Sequence, residues 1–151
     1  MAWRTEEDLI TALVCDMTWA EPLVGTHNAL VLREAKGLFG IPDLIVGAPS
    51  DGESGCVCFA FEAKLCNWKR ALAQAYKYLS FSSASYVVMD ASKARSAIAQ
   101  AELFRQAGIG LLSFSSEGEV CCVVPAVVSR PSSDALSSKA KQSLEDLSFY
   151  D

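Results

Sequence analysis

Two apolar runs of this chain carry charges that a buried strand should avoid. Ile41-Pro42-Asp43-Leu44-Ile45-Val46 and Phe59-Ala60-Phe61-Glu62-Ala63-Lys64-Leu65 both read as strands, yet the first holds a carboxylate and the second a carboxylate and an ammonium. Burying an unpaired ionised group costs several kcal/mol, so such groups pair, shift their pKa or bind a metal. At neighbouring strand ends, two carboxylates and a lysine can hold a divalent metal and a water beside a phosphate. A fold that sets these two runs side by side would assemble such a site.

The rest of the chain supplies the setting. Its 151 residues suit one domain with an ordinary core, and 51% hydrophobic with 21% charged residues is the balance of a folded protein. No apolar stretch approaches the roughly 20 residues of a membrane helix. The start, Met1 to Asp8, has no basic region followed by an apolar one, so a cytoplasmic protein without a membrane partner is expected. Cys15, Cys56, Cys58, Cys66, Cys121 and Cys122 form no Cys-x-x-Cys pair, and with the single His27 they give no zinc spacing. Most have apolar neighbours, and buried free thiols are expected. His27 has no nucleophile motif near it, so no catalytic role is assigned to it. The formal charge of −5 argues against indiscriminate nucleic-acid binding.

Local patterns order the elements. Thr5 caps an amphipathic helix to about Met17, and Trp19 to His27, with Pro22 and Gly25, reads as a loop. Asn28 to Ala48 predicts a β-hairpin: a strand at 29–32, a turn over Gly37 to Gly40, and a return strand from Ile41 to Val46. A polar loop from Ala48 to Gly55 leads to a central strand, Cys56 to Lys64. Asn67 caps a helix over Trp68 to Leu79. A strand at Ser85 to Met89, a helix from Ser92 to Gln106 ending at Gly108, and strands at 109–114 and 120–124 follow. Residues 1–128 form the expected domain, and the Ser-rich 129–151 is expected as a mobile or docking tail, with weak helical periodicity over 135–147. Three consecutive strands followed by a crossover helix predict an α/β protein with a mixed sheet flanked by helices.

Strand parity then tests the charges. Glu62 and Lys64 are two apart and share a face. If the hairpin turn is centred between Leu38 and Phe39, Glu34 lies opposite Asp43. Asp43, Glu62 and Glu34 would then converge near Lys64, and crowded carboxylates favour a hard cation, Mg²⁺ or Mn²⁺. A solvated strand face with a turn dipeptide is the plain alternative for the same residues. Gln74 and Tyr78, at i and i+4 on the following helix, share a face that can reach this site; a core tyrosine and a local amide bond explain them as well. Lys69 and Arg70 are either phosphate contacts or solvated surface. Gly37-Leu38-Phe39-Gly40 lacks the lysine and hydroxyl of a phosphate-binding loop.

Pro42-Asp43, 18 intervening residues and Glu62-x-Lys64 resemble the signature of the PD-(D/E)xK nucleases. The helix from Trp68 to Tyr78 resembles the one that follows Glu-x-Lys in that family, with Gln74 and Tyr78 matching the Gln-x-x-x-Tyr element of RecB-type members. The likeness spans about Thr5 to Asp90, and at its widest reaches Pro125. It implies a restriction-endonuclease-like fold and a metal-dependent hydrolase of phosphodiesters, with DNA as the expected partner. It further implies Asp43, Glu62 and Lys64 as catalytic residues, and Asp43, Glu62 and Glu34 as ligands of Mg²⁺ or Mn²⁺. Gln74, Tyr78, Lys69 and Arg70 would support the site or hold nucleic acid. Members also contribute a glutamate from the first helix, which Glu6 or Glu7 can match. Cutting both strands of a duplex takes two such sites, which implies a homodimer. The competing expectation is an inactive nucleic-acid-binding or protein-interaction module that keeps the fold.

Overall fold

The structure is a computed structural model that describes residues 2–26, 28–49 and 56–147; His27, most of the loop read after Ala48, and the last residues of the tail lie outside the described residues. Among the described residues, six strands form one mixed sheet in sequential order. β1 (Leu30–Arg33), β2 (Leu44–Pro49) and β3 (Cys56–Lys64) make the antiparallel meander, and β4 (Ala84–Asp90) joins β3 in parallel. β5 (Gly110–Phe114) lies parallel to β4 and β6 (Val120–Val124) returns antiparallel, so the last strand pair extends the same sheet.

Helices cover both faces. α1 (Glu6–Cys15) starts at Thr5, whose side chain accepts from the Asp8 N–H, and buries Leu9, Ile10 and Leu13 against Leu44, Val46, Phe59, Phe61 and Val88. On the opposite face α3 (Trp68–Lys77) presents Ala71 and Ala75 to Val87, Met89 and Leu111. With apolar neighbours on both faces, β3 and β4 are near-continuous apolar runs.

Several expected elements change on folding. The segment expected as a loop at 19–27 begins inside a 3₁₀ turn (Met17–Ala20) and holds one turn of helix, α2 (Glu21–Val24); Pro22 fits in a first turn because its missing N–H would have no helical partner there. The return strand begins at Leu44 rather than Ile41, because Pro42 has no N–H to give a ladder. α3 stops at Lys77 and tightens into a 3₁₀ turn, Tyr78–Ser80. The helix expected from Ser92 to Gln106 divides, after a 3₁₀ turn at Ala91–Lys93, into α4 (Arg95–Ala99) and α5 (Ala101–Ala107) around Gln100, and Phe104 of the second piece is buried near Trp68. Gly108 closes α5 at φ 74°, the left-handed cap its position predicts. Among the described cysteines only Cys58 is buried; Cys15, Cys66, Cys121 and Cys122 are exposed, so apolar sequence neighbours misled the expectation of buried thiols.

The tail docks. Backbone bonds from Val127, Ser129, Ser132 and Ser133 stitch it to Gly108, Ser83, Leu79 and Ser80, and Ser133 Oγ accepts from the Leu136 N–H at the start of α6 (Asp134–Leu147). α6 buries Ala140 and Leu144 against Ile45, Cys58, Ala60 and Tyr78. Among the described residues no helix is long and apolar enough to cross a membrane.

Candidate functional site

The meander register brings the charged runs together. β2 pairs with β3 through Leu44↔Phe61, and one step further sets Asp43 across from Glu62 on the face covered by α3 and α6. Asp43 precedes β2, and its Oδ2 accepts the Ala63 N–H at 2.7 Å, so a side chain continues the ladder where the strand has not yet begun. The β1–β2 turn is centred between Leu38 and Phe39 as expected, since Arg33 pairs with Leu44 and the Glu34 N–H donates to Asp43 O at 3.1 Å.

Glu62 is only 3% exposed. Tyr78, at the C-cap of α3, lies against Ile45, Cys58 and Ala60 with its hydroxyl 2.7 Å from Glu62 Oε1 and 3.1 Å from Ile41 O. One phenol proton serves both charge states. With Glu62 ionised, the hydroxyl donates to it; with Glu62 protonated, the carboxyl donates to the phenol, which turns to Ile41 O. Burial, reinforced by the Asp43 carboxylate, pushes Glu62 up to about 7 against the opposing pull of Tyr78 and Lys64. Burial also raises Asp43, opposed by the Ala63 N–H and Lys64 and reinforced by Glu6. The same burial and the two carboxylates push the Tyr78 phenol upward, so it stays a donor.

The remaining expected residues divide between the site and the surface. Lys64 Nζ lies 3.6 Å from Glu6 Oε2, while Glu7 pairs with Arg33. Glu6 is therefore the first-helix carboxylate that reaches the site. Glu34 does not join it: the residue is exposed and its φ of 50° takes the side chain off the strand alternation that would have aimed it at Asp43. Gln74 sits one turn before Tyr78 with Oε1 sheltered from water and lacking a hydrogen-bond partner. Lys69 and Arg70 are exposed at the start of α3, and Lys69 Nζ stands 5.7 Å from the Trp68 ring. Sequence reasoning missed Asp90, fully buried at the end of β4, which accepts from the Trp3 N–H and from Ser92; a buried acid at a strand end was its signal, and its bonds are structural.

Among the described residues no three His, Cys, Asp or Glu side chains are grouped to hold a metal, so the expected Asp43, Glu62 and Glu34 set is not assembled. The Asp43–Glu62 pair is the smaller set with which Mg²⁺ binds, completing its shell with waters and phosphate oxygens. The pair fits such an ion, because burial raises both neighbouring carboxylates toward neutrality and a cation would favour their charged form. No family model matches the chain, and no curated protein matches it either.

Proposed function

We propose that this chain is a metal-dependent nuclease of restriction-endonuclease-like fold that hydrolyses phosphodiester bonds in DNA. The observation that carries the reading is the juxtaposition of Asp43 and Glu62 on one face of adjacent strand ends, both with raised pKa and both near Lys64. A buried carboxylate pair destabilises the folded chain unless a ligand repays it, and a divalent cation with a phosphate does so. Mg²⁺ or Mn²⁺ held by the pair would polarise the phosphate and acidify a water. Lys64 places an ammonium beside the carboxylates, where it offsets charge on the phosphate and orients the attacking water. Glu6 holds that ammonium on the α1 side. Tyr78 fixes Glu62, and Gln74 Oε1 offers an acceptor to a water of the ion's shell.

Incubation with linear, circular, single-stranded and branched DNA in Mg²⁺, Mn²⁺ or chelator tests the reading. Cleavage is expected only with metal, and Asp43→Ala or Lys64→Ala should slow it by on the order of 100-fold or more. Equal rates in variant and parent would sink it. The small ligand set favours one rival, a binding module that keeps the fold without cutting. Calorimetric titration with Mn²⁺ separates the two, because the rival predicts no affinity that depends on Asp43 and Glu62.

A further inference from the structure

The two most exposed aromatic rings among the described residues lie together, away from the core. Phe39, in the β1–β2 turn, is 53% exposed and Tyr76, near the end of α3, is 59% exposed. Core packing explains neither, since α3 buries Ala71 and Ala75 and the following turn buries Tyr78. Both rings line a cleft of about 380 Å³ together with Lys77, Leu79, Ser80 and Arg130, a size within the roughly 300–1,000 Å³ of small-ligand sites.

The lining has two chemistries. Lys77 Nζ stands 5.7 Å over the Phe39 ring. Arg130 reaches Asp134 at 3.5 Å, but both side chains are more than four-fifths exposed, so that pair is weak and the guanidinium stays in water. Ser80 Oγ is sheltered without a hydrogen-bond partner. Flat apolar surface flanked by cations suits a group that is aromatic and attached to phosphate. A nucleobase is such a group, and a duplex keeps its bases stacked out of reach.

We propose that this cleft binds an unpaired base of single-stranded DNA, stacked on Phe39 and Tyr76, with Lys77 and Arg130 on the adjoining phosphates. The choice of DNA rests on the nuclease reading above. The cleft is linked to that site: Gly40, next to Phe39, lies so close to Tyr78 that an added Cβ would fall 2.9 Å from the ring, and the Tyr78 hydroxyl bridges Ile41 O and Glu62. On the nuclease reading, a cleft that holds an unpaired base makes DNA with a single-stranded end or gap the substrate.

The test is fluorescence anisotropy in chelator and low salt, with a labelled oligothymidylate about 15 nucleotides long and an abasic strand of equal length. The parent is expected to bind the oligothymidylate at least about 5-fold more tightly than the abasic strand, and Phe39→Ala and Tyr76→Ala should each lose about 5-fold or more, the lower range for one base–aromatic contact. Circular dichroism of both variants should match the parent, because each ring is mostly in solvent. No binding by the parent, equal affinity for the abasic strand, unchanged affinity in both variants, or tighter binding of oligouridylate overturns the proposal. The two readings fail separately: base-dependent binding without cleavage in any metal removes the nuclease and keeps the cleft, while cleavage with binding indifferent to Phe39 and Tyr76 does the reverse.

Discussion

Glu62 occupies a position where an apolar side chain would serve the fold better. It follows Cys58 and Ala60 on a face packed by Tyr78, and its carboxyl is held up near 7 from an ordinary value of 4.5. Between those values the folded state keeps a proton that the unfolded state has released, so stability falls as pH rises through this window and levels off above it. The metal-free parent should therefore lose stability on the order of 2–3 kcal/mol from about pH 5 to above pH 7. Glu62→Gln, which keeps an acceptor for Tyr78, should flatten that slope; urea unfolding at several pH values checks it, and parallel profiles for the two proteins would contradict it. Asp43, Glu62 and Lys64 were legible from residue type and strand parity, because alternation and hairpin register are local rules. Glu34 was not placed by the same rules. A positive φ at one residue redirects a side chain, and nothing in the residue type announces it.

The β1–β2 turn shows how an element holds a site it does not form. Gly40 has φ 84° and sits against the Tyr78 ring, so the turn and the α3 cap are built around one contact. Gly40→Ala should destabilise the protein by about 1–3 kcal/mol, through a strained left-handed alanine and a Cβ that displaces Tyr78 from Glu62. Denaturant unfolding measures the loss, and a cost below about 0.5 kcal/mol would show that the contact is slack. Elements defined by local chemistry were readable: Thr5 and Asn67 cap the helices they precede, and β3 and β6 have their expected limits. The break at Gln100 was not, because no proline or glycine marks it; it accompanies the burial of Phe104 beside Trp68, a contact more than thirty residues apart in sequence.

At the scale of the molecule, the segment after residue 128, expected as a mobile or docking tail, packs on the sheet. α6 covers Ile45, Cys58, Ala60 and Tyr78, the face of the sheet on which Glu62 also lies. Deleting residues 134–151 should lower the unfolding midpoint by about 10 °C, the loss expected when a buried leucine and its neighbours are uncovered. A freely detachable tail would leave the midpoint unchanged in a thermal scan. The sequence by itself determined the α/β class, the strand order of the meander and the centre of its first turn, because periodicity, capping and alternation act between near neighbours; the β2–β3 register that sets Asp43 across from Glu62 came from the fold. Only the tertiary structure decided that Glu6 rather than Glu34 approaches Lys64, that Tyr78 holds Glu62, and that α6 seals the face above them. Those outcomes depend on which surfaces meet after distant segments pack, and burial, the force that selects them, has no fixed spacing along the chain.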